Sequence, residues 1–345
     1  MKVVILSVHV PFVRGGAELL AGWLADNLQE RGHETELVQL PFRWNPPRVV
    51  LDHMLSARLT RIRPADRIVA MKFPAYLVPH ENKVLWLLHQ FRLAYELWAT
   101  PHQGLENGYE AGRVREAVIA ADDAYLPEAR AIYTNSSVTS ARLKRFNGLD
   151  STVLYPPLRD PGSIRCESYG DYVFFPSRIT PAKRQELLVQ ALAHTRSGVR
   201  AVIAGAPDVP AYLDPLLETI EREGLGDRVE LIPEWISEER KLQLYANALA
   251  VVYPPLDEDS YGYVTMEAFY ARKAVVTCED SGGTHELVEE GVTGRVVPST
   301  PESLAEALDE LAEDRALAER LGHAARERLD TLNVSWDAVV ETLTA

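Results

Sequence analysis

Short β-branched runs alternate along the chain with longer segments whose apolar residues recur at helical spacing. A buried parallel strand reads as a continuous apolar run and an amphipathic helix as an apolar stripe. The alternation therefore predicts parallel sheets joined by crossover helices. Residues 3–8 (VVILSV) predict a first buried strand. Gly15-Gly16 then opens a helix over 17–31, with Leu19, Leu20, Trp23, Leu24 and Leu28 on one stripe, and Gly32 stands where a helix stop belongs. Strands follow at 34–40, 84–88 and 131–134, the last leading through Asn135-Ser136-Ser137 into a helix over 138–146.

A polar stretch with Pro, Gly and Asp at 159–170 interrupts the series and predicts a linker. Beyond it, a second series predicts strands at 172–175, 199–203, 229–232, 250–253, 274–277 and 295–297. Helices are predicted at 186–194, 213–223, 238–246 and from Thr265, with a long Ala/Glu/Leu/Arg-rich helical tail. The expectation is an α/β chain of two Rossmann-like domains, 1–160 and 161–330. A length of 345 residues exceeds one ordinary domain.

Composition narrows the class. Apolar content of 46% supports a sizeable core, yet no apolar run approaches the twenty or so residues of a membrane span. His9 and Pro11 break the first apolar run and no small-residue cleavage site follows, so it reads as a strand and not as a secretory leader. Cys166 and Cys278 fit no metal or redox spacing and read as free buried thiols of a cytoplasmic protein. The net charge of −14 is unevenly spread: residues 1–160 hold 19 Lys/Arg against 17 Asp/Glu (+2), and the remainder 17 against 33 (−16). Nucleic acid is therefore not an expected partner of the second half. Arg58, Arg61, Arg63, Arg67 and Lys72 form a basic run that reads as a solvated helix face. The competing reading is weak peripheral contact with an anionic acceptor or membrane surface.

The chemistry concentrates between Asp257 and Glu286, DEDSYGYVTMEAFYARKAVVTCEDSGGTHE. Asp259 is followed eight positions later by Glu267, with a small-aromatic-Gly loop between them. A helix pattern, a β-branched run and Gly282-Gly283-x-x-Glu286 come next. A carboxylate pair alone would fit an acidic loop capping a helix. The whole unit resembles the donor-site signature of retaining, nucleotide-sugar-dependent glycosyltransferases of family 4, in which a Glu is followed by seven residues and a second Glu. Asp259 stands in the first position, its carboxylate one methylene closer to the backbone.

What the resemblance implies agrees with the chemistry a nucleotide sugar demands. Diols are held by carboxylates through charge-assisted hydrogen bonds, and phosphates by backbone N–H groups at a helix start. Glu267 would hold the ribose, Asp259 the sugar, and the Ser260-Tyr261-Gly262-Tyr263-Val264 loop would approach the phosphates. Arg178 and Lys183, in SRITPAKR, resemble the family's Arg-x4-Lys element, whose cations neutralise the departing diphosphate. Arg184 stands where a Gly is frequent in that family. Gly15-Gly16 resembles its Gly-rich loop, and His89, at a predicted strand end, its sugar-contacting His. Trp235-Ile236 resembles the nucleobase-lining turn, and Gly205-Ala-Pro departs from the usual Gly-x-Gly-Pro. Trp336 resembles a segment that crosses back to the first domain, giving a final helix in 331–345.

The resemblance implies a glycosyltransferase-B fold, two Rossmann-like domains facing across a cleft. It also implies a nucleotide-diphosphate sugar as donor, an acceptor (glycan, lipid or small molecule) on the N-terminal domain, and no cofactor. Asp257-Glu-Asp259 also reads as Asp-x-Asp, the metal motif of the other major glycosyltransferase fold. The element order does not fit that fold, and the Arg178–Lys183 pair takes the metal's place, so no metal is expected. Gly-x-Gly-x-x-Gly is missing after the first strand, and no acidic residue ends the strand near Leu40, which disfavours a nicotinamide enzyme. Two other readings stay open: a non-catalytic sugar-nucleotide-binding subunit, favoured by Asp259, and a nucleotide-sugar epimerase on the same fold.

Overall fold

The computed structural model describes residues 1–11, 15–100, 104–105, 108–258, 260–332 and 334–345. The chain forms two compact units, Met1–Pro157 with Val334–Ala345, and Leu158–Asn333. The first unit contains β1 (Lys2–His9), α1 (Gly16–Glu30), β2 (Glu34–Pro41), α2 (Val49–Leu59), β3 (Arg67–Lys72) and β4 (Lys83–His89). It continues through α3 (Tyr109–Tyr125), β5 (Ala131–Thr134), α4 (Ser137–Asn147) and β6 (Thr152–Val153). Its sheet is parallel with order β2-β1-β3-β4-β5-β6. The central strands β1, β3 and β4 are buried almost throughout, whereas the edge strand β2 is half-exposed, as position in a doubly covered parallel sheet dictates. On one face α1 packs Leu20, Leu24 and Leu28 against Ile5, Val69 and Trp86. On the other, residues of α2, α3 and α4 cover Leu6, Ala70 and Leu87 around stacked Phe73 and Phe91, 5.0 Å between ring centroids. Ser136 caps α4 by accepting from Thr139 N at 3.0 Å.

The basic run is not a helix face. The apolar residues between Arg67 and Lys72 form β3, a strand the sequence reading missed. Arg67 is 6% exposed and donates to the carbonyls of Leu343 and Ala345, both at 2.8 Å. Arg58 stacks on the Tyr125 ring and donates to Glu128 at 2.7 Å. Arg61 and Arg63 are exposed.

The second unit contains β7 (Tyr172–Pro176), α5 (Gln185–His194), β8 (Arg200–Ala204), α6 (Asp214–Arg222), β9 (Val229–Ile232) and α7 (Glu238–Asn247). It continues through β10 (Ala250–Val252), α8 (Gly262–Tyr270), β11 (Val275–Cys278), β12 (Gly294–Val297), α9 (Pro301–Glu313) and α10 (Arg315–Leu332). Its parallel sheet has the order β12-β11-β10-β7-β8-β9, with its first strand in the middle. The polar stretch before β7 is docked rather than loose at its end. Glu167 N and Ser168 N donate to Ala246 O at 2.9 and 3.1 Å, and Gly170 N to Asn247 O at 3.1 Å. Cys166 is free but half-buried, and Cys278 is free and fully buried. The last helix, α11 (Trp336–Thr344), belongs to the first unit. Trp336 meets Trp86 edge-on, 6.4 Å between centroids, and Val339, Val340 and Leu343 join the core beneath α1. Among the described residues no helix is long and apolar enough to cross a membrane.

Candidate functional site

In the second sheet the strand order reverses between β7 and β10, neighbours whose chain continuations diverge. Ligands of open α/β sheets bind beyond the strand ends at such a reversal. Arg178 and Lys183 lie in the segment that leaves β7, and Tyr253 and Glu258 in the segment that leaves β10. Arg178 Nη1 donates to both carboxylate oxygens of Asp208, at 2.7 and 2.9 Å. Lys183 donates to the Tyr253 hydroxyl at 2.8 Å and to the Glu258 carboxylate. Burial opposes the Lys183 charge, but Glu258 outweighs it, so the ammonium is held above its ordinary pKa and stays charged.

The backbone around these groups is fixed by close packing. A Cβ on Gly205 would lie 2.1 Å from Ser177 O, so the turn after β8 can press against the segment carrying Arg178 only without a side chain. Gly262, at φ +71°, opens α8 against the Tyr253 ring, which a Cβ would approach to 2.7 Å. Arg184 takes φ +59° and donates to Pro254 O at 2.6 Å, to Pro255 O at 2.8 Å and to both oxygens of Asp280. Where glycine is frequent in the resembled family, this arginine clamps the loop after β10 to the loop after β11.

Glu267 lies in the second turn of α8. Lys241 of α7 donates to its Oε1 at 2.6 Å, and the buried Tyr245 hydroxyl to its Oε2 at 2.9 Å. Burial lowers the Lys241 pKa, and Glu267 with Glu238 more than offset it. Val264 and Tyr263 stand in the first turn of α8, and burial pushes the Tyr263 phenol pKa up. Trp235 is 66% exposed and Ile236 half-buried, just before Ser237, which caps α7. The helix that follows Trp235 thus carries Lys241 and Tyr245 to Glu267. Asp259 lies outside the described residues.

In the first unit, Gly15 and Gly16 open α1 after β1, Lys72 ends β3 and His89 ends β4. Lys72 and His89 are partners in the β3–β4 register. Glu18 accepts from Gly15 N at 2.9 Å and from Lys72 Nζ at 3.3 Å, which fixes the start of α1 against the end of β3. His89 Nδ1 is 2.6 Å from Gln90 O, so that nitrogen carries the proton.

Sequence reasoning did not single out Lys241, Asp208 and Glu258 as partners of these groups. Charged residues on an amphipathic helix or in a loop carry no motif of their own, and their partners lie 26 to 75 positions away. A hollow of about 730 Å³ lies elsewhere in the second unit, at the strand-start edge, lined by Arg165, Arg200, Arg228 and Arg240 among others. Each of these arginines is already engaged, by Glu167, by Asp171, by backbone carbonyls and by Glu230. It lies at the opposite end of the strands from the Arg178–Lys183 cluster.

Residues 166–328 match the family model described as glycosyl transferases group 1. The chain is 32% identical over 242 residues to an alpha-maltose-1-phosphate synthase of Mycobacterium tuberculosis, an alignment covering 65% of this chain and 61% of that protein's length. It is 24% identical over 401 residues to a D-inositol 3-phosphate glycosyltransferase of Jonesia denitrificans, covering 97% of this chain and 93% of the other. The solved structure of Anabaena Alr3699/HepE in complex with UDP and glucose superposes with a TM-score of 0.74 over 100% of this chain and 98% of that one, at 20% identity. With two parallel six-stranded sheets, the fold is that of the glycosyltransferase-B class. The second unit carries the match to the glycosyl transferases group 1 family.

Proposed function

We propose that the chain is a cytoplasmic, retaining glycosyltransferase that moves a sugar from a nucleoside-diphosphate sugar to a glycan, lipid or small-molecule acceptor without a metal ion. One observation carries the reading. Arg178 and Lys183 follow β7, and Glu267 follows β10, the two neighbouring strands at the strand-order reversal of the unit that matches the group 1 family. The UDP in the Anabaena structure supports a nucleoside diphosphate as the bound half of the donor.

In this reading the two cations receive the diphosphate. Cleaving the glycosyl–phosphate bond leaves extra negative charge on the departing oxygen, and positioned cations stabilise that charge more in the transition state than in the ground state. Glu267 accepts from the ribose hydroxyls while Lys241 and Tyr245 hold the carboxylate in place. Trp235 and Ile236 line the nucleobase, Gly205 and the Gly262–Val264 turn bring backbone to the phosphates, and Asp259 holds the sugar. In the first unit, Gly15 and Gly16 are donor-binding, a turn that lets the donor phosphate and the acceptor approach the backbone, and His89 hydrogen-bonds the transferred sugar. The departing phosphate takes the acceptor proton as both bonds change on one face of the sugar.

The test is nucleoside-diphosphate release from a panel of nucleotide sugars, with and without an acceptor extract, followed by the anomeric configuration of the product. The reading predicts consumption of at least one donor, an α-linked product from an α-linked donor, and at least a hundredfold loss in Lys183→Ala, as comparable electrostatic donors are worth about 2.7–4 kcal/mol. Consumption of no donor, or an altered sugar with no transfer, would refute it.

A further inference from the structure

Among the described residues, the three charged groups assigned to the nucleotide already hold internal counter-ions. Arg178 holds Asp208, Lys183 holds Glu258, and Glu267 holds Lys241. The first two pairs differ in kind from the third. A ribose hydroxyl is neutral and can add to Glu267 beside Lys241. A phosphate is an anion and competes with a carboxylate for the same N–H donors. Arg178 presents one nitrogen to both Asp208 oxygens, short of the two-nitrogen fork by which an arginine holds a carboxylate or phosphate most strongly.

We propose that Asp208 and Glu258 are built-in stand-ins for the donor diphosphate, which enters by exchanging with them and leaves as they re-pair. This rests on the assignment of Arg178 and Lys183 to the diphosphate. Three observations favour exchange over permanent pairing. The Arg178–Asp208 pair is more than one-third exposed on both sides, so it is weak enough to open. Glu258 sits in the loop between β10 and α8, joined to the rest of the unit by the Glu258–Gly282 bridge and by Gly283 N donating to its carbonyl at 2.9 Å. With the backbone held in this way, exchange requires only that the carboxylate leave Lys183 and the Tyr253 hydroxyl, which donates to it at 3.0 Å. Lastly, the half of the chain from residue 161 carries 17 Lys/Arg against 33 Asp/Glu, so two bare cations would be rare features in an acidic field. Neutralising them internally keeps them from collecting stray anions.

Exchange also sets selectivity. Only a ligand with enough charge to replace two carboxylates at once recovers both contacts, so a diphosphate is favoured over a monophosphate. The competition lowers apparent affinity by the fraction of protein whose cations are free.

The experiment is calorimetric titration of the full chain. The nucleoside diphosphate is the one of the uridine, guanosine, adenosine and thymidine forms that stabilises the wild type most, and its monophosphate and nucleoside are titrated beside it. Asp208→Asn is predicted to bind the diphosphate about three- to fivefold more tightly, in the range of an exposed ion pair. Glu258→Gln is predicted to gain about tenfold, its pair being more buried. Both are predicted to narrow the preference for diphosphate over monophosphate and to leave nucleoside affinity unchanged, which a general change in the fold would not do. Glu230→Gln, which removes a carboxylate at the strand-start edge, controls for the overall field and is predicted to have no effect. Weaker or unchanged diphosphate binding by Asp208→Asn, with Lys183→Ala still weakening it, overturns the exchange and leaves the site assignment standing. No diphosphate binding by the wild type overturns both.

Discussion

Lys241 donates to Glu267 Oε1 at 2.6 Å, and Tyr245, one turn further along the same helix, donates to Oε2 at 2.9 Å. Two residues of α7 therefore decide the orientation of the carboxylate assigned to the ribose. Removing that carboxylate should cost a charge-assisted hydrogen bond to the nucleotide. Glu267→Ala is predicted to weaken nucleoside-diphosphate binding by about 1.5–3 kcal/mol, read by titration against the wild type. Unchanged affinity would remove Glu267 from the site.

Trp235 is predicted to act on the base alone. At 66% exposure it contributes little to the core, so Trp235→Ala should leave the melting temperature within error. Base–aromatic stacking is worth about 1–3 kcal/mol. The variant should lose that much affinity for the nucleoside diphosphate and none for inorganic pyrophosphate. Equal losses for both would place Trp235 away from the base.

Arg184 sets a backbone cost against a clamp. A non-glycine residue at positive φ costs roughly 1–2 kcal/mol. The side chain in return makes two hydrogen bonds to backbone carbonyls and a bidentate pair with Asp280, where hydrogen bonds to charged groups are worth about 1.5–3 kcal/mol each. The clamp wins, so Arg184→Gly is predicted to destabilise the protein by roughly 1–3 kcal/mol in denaturant titration. Stabilisation by this substitution would show that the relief of strain dominates.

The buried Asp122 gives the fold a pH dependence of its own. It is fully buried and accepts from the Tyr76 and Tyr95 hydroxyls at 2.9 and 2.7 Å. Burial pushes its carboxyl up from the ordinary 3.8 to about 7, against the two phenols, which favour the charged form. The folded state thus keeps this proton to higher pH than the unfolded chain does. The contribution is fully present below about pH 4 and is lost as pH rises to about 7. Asp122→Asn cannot ionise, so wild type should lose stability relative to it between pH 4.5 and pH 7.5. Relative stability that is flat or rises with pH would contradict the assignment.

The sheets were legible because buried parallel strands are continuous apolar runs, and residues 131–134 and 229–232 coincide with β5 and β9 to the residue. The strand Arg67–Lys72 was not legible, because a cation stands at each end of its four apolar residues and the run reads as a basic surface. Burial of Arg67 depends on carbonyls of the distant α11 segment, which local pattern cannot supply. In the candidate site, Arg178, Lys183 and Glu267 were singled out by a motif. Their counter-ions were not, since Asp208 and Glu258 are defined only by the sheet order that brings the loops after β7, β8 and β10 together, and Lys241 by the contact of α7 with α8.

The most direct test of the account is a crystal structure of the chain with its tightest-binding nucleoside diphosphate. The account predicts phosphate oxygens on Arg178 and Lys183, ribose hydroxyls on Glu267, the base against Trp235, and the Asp208 and Glu258 carboxylates turned away. A nucleotide seated instead in the strand-start hollow among Arg165, Arg200, Arg228 and Arg240, with the Arg178–Asp208 and Lys183–Glu258 pairs intact, would contradict it.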